Sequence, residues 1–178
     1  MSLVCAKDKE WRKALDLMAD MKRNNIIANQ HTYSAIINAL GNSGQWERAL
    51  DVLNQMKEKE MKVNVVAYNS AISALAKASR NANTIDKTVK LWEEALGLIN
   101  QMKKEKVWPD KYSYSSAIAC CASDARYEEA LDLIEVMRNG PAKIRPNRIS
   151  YTGAMSKSKY DTFQIFLVMS SYLAMSSI

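Results

Sequence analysis

The side chains in this chain that could do chemistry are mostly hydrogen-bonding ones, and they recur. A Tyr followed by Ser, Asn or Thr occurs four times, at Tyr33-Ser34, Tyr68-Asn69, Tyr114-Ser115 and Tyr151-Thr152. Covalent and acid–base catalysis find no equipment. His31 is the one histidine, so neither a Ser/His/Asp site nor a histidine-based metal cluster can be assembled. Glu93-Glu94 and Glu128-Glu129 are sequence neighbours, and adjacent residues on a helix do not converge on one point. There is no Gly-rich phosphate loop and no zinc-ligand spacing. Cys5, Cys120 and Cys121 are an odd number in no disulfide pattern, and read as small buried hydrophobes of a reducing compartment. The chain is read as a non-enzyme with no cofactor, metal or small-molecule substrate.

The elements that must position these side chains are printed repeatedly. WRKALDLMADM begins at Trp11, WERALDVLNQM at Trp46, WEEALGLINQM at Trp92 and YEEALDLIEVM at Tyr127. In each, an aromatic is followed by Ala at +3, Leu at +4, an aliphatic residue or Met at +7 and Met at +10, one face of a 3.6-residue helix. The expected core stripe is therefore Trp46, Ala49, Leu50, Leu53 and Met56 with its equivalents, Leu131 among them. Each Tyr-Ser/Asn/Thr segment supplies a first helix that forms a hairpin with the template helix after it. Hydroxyl and amide residues at a helix start also have a plain structural use, since they satisfy orphan backbone N–H groups.

Trp11 to Trp46 and Trp92 to Tyr127 are both 35 residues, while Trp46 to Trp92 is 46, an excess of 11. A fixed period of this size marks a repeat solenoid. The excess falls at about residues 81–91, NANTIDKTVKL, in the turn of one hairpin, where added length costs little closure entropy. Its second half, Ile85 to Leu91, is read as an N-terminal extension of the following helix capped by Asn83 or Thr84. Ser79 stands where a hairpin-turn Gly is expected. Helical hairpins are expected at 1–23, 31–58, 66–104 and 112–139, with a lone first helix from about 149; Leu3 to Ala6 would be the tail of a first helix preceding Trp11.

Bulk properties agree. The chain has 178 residues, 48% of them hydrophobic, enough for one domain or one continuous stack, and five Gly with three Pro leave little room for sheet. A net charge of +6 and a pI near 9.2 favour a polyanionic partner. The N-terminus has neither signal-peptide nor transit-peptide character, and the chain reads as a fragment of a longer array. Residues 161–178 form an apolar tail, uncharged from Thr162 on. It is read as a replacement capping helix or as non-native sequence, being marginal for a membrane span.

On these residues the chain resembles the pentatricopeptide repeat (PPR) family, of the plain 35-residue type. The carrying motifs are the openings Thr32-Tyr33-Ser34, Ala67-Tyr68-Asn69, Ser113-Tyr114-Ser115 and Ser150-Tyr151-Thr152. The second helices end in Met56-Lys57, Met102-Lys103 and Met137-Arg138, and the units close with Pro109-Asp110 and Pro146-Asn147, in worn form Val63-Asn64 and Ala28-Asn29. The implied fold is all-α, a right-handed α-solenoid of stacked helical hairpins. A partial repeat would span 1–29, full repeats about 30–64, 65–110 and 111–147, and a partial repeat 148–160.

The resemblance further implies sequence-specific binding of single-stranded RNA at about one base per repeat, in organellar RNA processing or stabilisation. It assigns base reading to the residue after each Tyr together with the closing residue: Ser34 with Asn64, Asn69 with Asp110, Ser115 with Asn147, and Thr152 alone. By the family's code Ser with Asn favours adenine and Asn with Asp favours uracil, giving 5′-AUA-3′. His31, Val66, Tyr112 and Ile149 would sandwich the bases, and Lys7 and Lys77 would contact phosphate. The parent protein would belong to a plastid or mitochondrion. The alternative is a protein-binding scaffold of the tetratricopeptide type, whose first-helix pattern is missing here.

Overall fold

The computed structural model describes residues 3–80, 90–124, 126–140, 143–146 and 150–151; the side chains of 3–9 lie outside the description. Seven helices follow one another: α1 (Leu3–Arg23), α2 (Gln30–Asn42), α3 (Trp46–Glu58), α4 (Val65–Arg80), α5 (Leu91–Lys104), α6 (Lys111–Ser123) and α7 (Tyr127–Asn139). The first helices α2, α4 and α6 pack side by side as one layer, and α3, α5 and α7 each pack against the first helix of their own hairpin. α3 also reaches α4, and α5 reaches α6, so each second helix staples its repeat to the next.

Period and layer arise from three local devices. Each closing residue starts the next first helix: Asn29 Oδ1 accepts from the Thr32 N–H at 3.0 Å, Asn64 Oδ1 from Ala67 N–H at 2.9 Å, and Asp110 Oδ1 from Tyr112 and Ser113 N–H, both at 2.9 Å. Whereas α7 stops at an extended Gly140, α1, α3 and α5 each stop at a left-handed residue, Asn25, Glu60 and Lys106 with φ of 54°, 54° and 57°. After it, the N–H of Ile26, Met61 or Val107 donates back to the carbonyl of Met21, Met56 or Met102, which is the Schellman closure with its accompanying apolar residue. Met56 and Met102 at +10 are thus both core residues and the acceptors that end their helices. In the α2–α3 turn Gly44 takes φ +70°, and within α2 Gly41 lets the backbone of Ser70 approach so closely that a Cβ would lie 2.4 Å from its carbonyl oxygen.

Four expectations are corrected. α1 runs unbroken from Leu3 to Arg23 where the end of a first helix was expected before Trp11; Lys7 to Glu10 contain no Gly, Pro or Asn to stop it. α5 starts at Leu91 with Lys90 at its N-cap in non-helical geometry, so Asn83 and Thr84 do not cap it; residues 81–89 lie outside the described ones. Ser79 makes no turn: it is buried in the last turn of α4, donating to Asp124 Oδ1 at 2.7 Å and to Cys120 O at 3.4 Å.

The buried stripe of α3, α5 and α7 is the fourth correction, being +3, +6, +7 and +10 rather than +3, +4, +7 and +10; in α1 the +6 residue, Leu17, is exposed. Val52, Leu98 and Leu133 at +6 are buried, whereas Leu50 and Leu96 at +4 are half-buried and Leu131 is 41% exposed. The +4 side chain lies at the edge of the face that meets the layer of first helices, while +6 points into it. Trp46 and Trp92 are likewise only partly buried, and Arg48 and Arg126 stack over Trp11 and Trp92 at 4.4 and 4.7 Å from the ring centres. The apolar tail and the lone helix expected from 149 fall outside the described residues, apart from Ser150 and Tyr151, which are helical.

Candidate nucleic-acid interface

The N-terminal turns of α2, α4 and α6 share one edge of the first-helix layer. Hydrogen bonds at both ends hold α4 and α6 parallel, Asn69 to Asp110 at one and Ser79 to Asp124 at the other. The residue after the Tyr of α2 or α4 therefore meets the residue that starts the next first helix. Asn64 Nδ2 donates to Ser34 Oγ at 3.3 Å, and Asn69 Nδ2 donates to both carboxylate oxygens of Asp110, at 3.1 and 3.2 Å. These contacts join side chains 30 and 41 residues apart. Two of the three complete pairs expected from sequence are thus physically paired. Ser115 meets Ser150 Oγ at 3.2 Å; its expected partner Asn147, and Thr152, lie outside the described residues.

Around these pairs the surface is open. His31 is exposed, Val66 is 53% and Tyr112 62% exposed, each on the first turn of its helix, while the Tyr residues two positions on are buried in the core. An exposed Val and Tyr at matching register present apolar faces to solvent that the packing does not use. Lys111 Nζ lies 5.0 Å from the Tyr112 ring centre, adding a cation beside it. Ile149 and the Lys7 side chain are outside the description. Lys77 is engaged: its ammonium donates to Gly41 O at 2.8 Å and Asn42 O at 3.2 Å, holding the C-terminal carbonyls of α2. Among the described residues no group of His, Cys, Asp and Glu could hold a metal ion, and no helix is long and apolar enough to cross a membrane.

Sequence reasoning missed one participant. Ser113 is fully buried, accepts from Asp110 N–H at 3.0 Å, and presents its hydroxyl to Asn69 Oδ1 and Asp110 Oδ1. Only its place in the opening Ser113-Tyr114-Ser115 hinted at it, because the reach to Asn69 crosses between repeats.

PPR repeat families match the sequence over residues 3–42, 28–77, 89–107 and 112–140. The chain belongs to the pentatricopeptide repeat family. PPR membership replaces the tetratricopeptide alternative as the repeat type. Among curated proteins no relative matches. Among solved structures, the maize pentatricopeptide repeat protein PPR10 superposes with a TM-score of 0.68 at 22% identity, over 93% of this chain and 22% of that one. The PPR domain of Arabidopsis thaliana protein-only RNase P 1, in complex with tRNA, superposes at 0.66 and 17% identity, over 85% and 74%. PPR10 in complex with an 18-nt psaJ RNA element superposes at 0.59 and 22%, over 72% and 17%. The chain thus spans about a fifth of the length of PPR10, and its stacked helix pairs resemble the superhelix of that PPR protein.

Proposed function

We propose that this PPR chain binds single-stranded RNA sequence-specifically, at about one base per repeat, as part of RNA processing or stabilisation in a plastid or mitochondrion. The observation that carries the reading is the Asn69–Asp110 pair. Asp110 Oδ1 is taken up by the N-cap bonds of α6, whereas among the described residues Oδ2 receives only the Asn69 amide. An acceptor on Asp110 Oδ2 and the second N–H of Asn69 therefore stand side by side, and uracil offers the complement, its N3–H next to a carbonyl. Ser34 with Asn64, and Ser115 with Asn147, are assigned to adenine, giving a preferred 5′-AUA-3′ followed by a purine at Thr152. His31, Val66, Tyr112 and Ile149 form the stacking positions, and Lys7 and Lys77 the phosphate contacts. Removing the Lys77 ammonium is expected to loosen α2 as well as to lower the salt dependence of binding.

Three stacked bases supply roughly 3–9 kcal/mol against an association cost of about 4–15 kcal/mol, so the chain alone should bind at micromolar level or weaker. The test is a titration with short RNAs differing at the middle base. Asn69→Thr with Asp110 kept should move the preference there from uracil toward guanine and leave the flanking positions unchanged. Persistence of uracil after the swap refutes the pairing, and affinity that ignores both sequence and salt refutes RNA reading altogether.

A further inference from the structure

Resting on the RNA reading above, we propose that two of the reading sites have a third member, the hydroxyl of a buried Ser in the next first helix, which fixes the way the reading side chain is presented. The residues are Ser113 for Asn69 and Ser150 for Ser115. Ser113 acts through Asn69 and is a positioning residue.

The argument is one of polarity. An Asn amide can turn over and exchange its donor and acceptor ends at almost no cost in shape, and a site read by such an amide has no fixed identity until that choice is made. Here both ends are held. Asn69 Nδ2 faces the two Asp110 oxygens at 3.1 and 3.2 Å, which can only accept. Asn69 Oδ1 faces Ser113 Oγ, which accepts from the Asp110 N–H at 3.0 Å and has its one hydrogen within reach of the amide oxygen and, at 3.1 Å, of Asp110 Oδ1, so that it can donate to Asn69. Turned over, the amide would set oxygen against carboxylate. Burial keeps water from substituting, since Ser113 is wholly inaccessible.

The arrangement recurs one repeat on, where Ser150 is also wholly buried and its Oγ lies 3.2 Å from Ser115 Oγ. It is missing one repeat back. The residue in that register is Ala67, which has no hydroxyl, and among the described residues Ser34 is met by Asn64, at 3.3 Å. The sites are therefore graded: the Asn69 amide is held at both ends, Ser115 has a buried hydroxyl beside it, and Ser34 has none in that register.

Two measurements on the full chain test this. Without RNA, the side-chain amide protons of Asn69 in nitrogen-15 NMR spectra should be separated and slow to exchange. Ser113→Ala should collapse that protection and Ser113→Thr retain it, the equivalent position in α2 being Thr32, whose hydroxyl donates to the cap Asn29. With RNAs differing at the middle base, Ser113→Ala should lower the preference for uracil by about threefold to tenfold, the size of one neutral hydrogen bond, and Ser113→Thr should restore it. Ala67→Ser, which leaves α6 untouched, should sharpen the first position by a similar factor and serves if Ser113→Ala does not fold. Unchanged Asn69 signals together with unchanged uracil preference in Ser113→Ala overturn the inference, as does a folded Ala67→Ser that changes nothing at the first position. If the wild-type chain shows no base preference, the RNA reading fails, and the Asn69 amide signals alone decide whether Ser113 holds it.

Discussion

Asp110 carries two jobs on one carboxylate, and substituting it by Ala or by Asn separates them. Oδ1 caps α6 through Tyr112 and Ser113 N–H, and both oxygens hold the Asn69 amide. Asp110→Ala removes the cap, at about 0.5–2 kcal/mol. It also leaves a half-buried amide without its partner, at about 1–3 kcal/mol. Together roughly 1.5–5 kcal/mol should be lost, enough to lower the urea midpoint of the whole stack visibly, because repeats transmit a local loss to their neighbours. Asn caps a helix as well as Asp, so Asp110→Asn should lose only the bond from the Asn69 amide to Oδ2, about 0.5–1.5 kcal/mol. What it changes is the polarity at Oδ2, which becomes an N–H donor facing the uracil N3–H. The middle preference should fall by about 5- to 150-fold, one base-edge pair of 1–3 kcal/mol, and pass to cytosine, whose N3 accepts. Urea unfolding followed by circular dichroism and titration with four RNAs give the two readouts. If Asp110→Asn unfolds as readily as Asp110→Ala, or folds normally and still prefers uracil, the division of labour between the two oxygens is wrong.

Three further outcomes follow from the packing. Leu53→Ala, at a fully buried position, should cost ~2–5 kcal/mol, while Leu131→Ala, 41% exposed, should cost under ~1 kcal/mol, contrary to the equal burial expected from the sequence template; thermal melts compare them. Lys106→Gly should stabilise the stack by roughly 0.5–1 kcal/mol. The left-handed residue at φ 57° costs a side chain about 1–2 kcal/mol, part of which the freer unfolded glycine gives back; a lowered melting point would refute the strain argument. Burial, then Glu129 and Asp124, pushes the Cys121 thiol from 9.0 up to about 12, and burial raises Cys120 as well. A group with a raised folded pKa stabilises below its unfolded value and loses that contribution as pH rises, so stability should decline from about pH 9 upward. Alanine at both cysteines should flatten the decline, and a slope unchanged in that variant would assign it to other groups.

The sequence by itself determined the repeat. Period, helix starts at Asn29, Asn64 and Asp110, and the +3, +7 and +10 face of each second helix are local properties, fixed by side chains within one or two turns of each other. The partners in each reading pair were legible only because a resemblance named them. Nothing in spacing says that Asn69 should touch a residue 41 positions away. Tertiary structure alone decided the rest, for reasons of packing. Leu50 and Val52 are equally apolar in a helical wheel, and only the direction from which the first-helix layer arrives sends +6 inward and +4 to the edge. The turns were hidden because the left-handed positions carry Asn, Glu and Lys rather than Gly; it is the closing hydrogen bonds to Met21, Met56 and Met102 that impose the conformation. Lys77 reads only as a basic residue until α2 ends beside it, and then its ammonium also holds the carbonyls of Gly41 and Asn42. The orientation of the Asn69 amide is the last such case: a side chain with a donor at one end and an acceptor at the other has no direction in a sequence, and acquires one only where the fold sets a carboxylate against one end and a buried hydroxyl against the other.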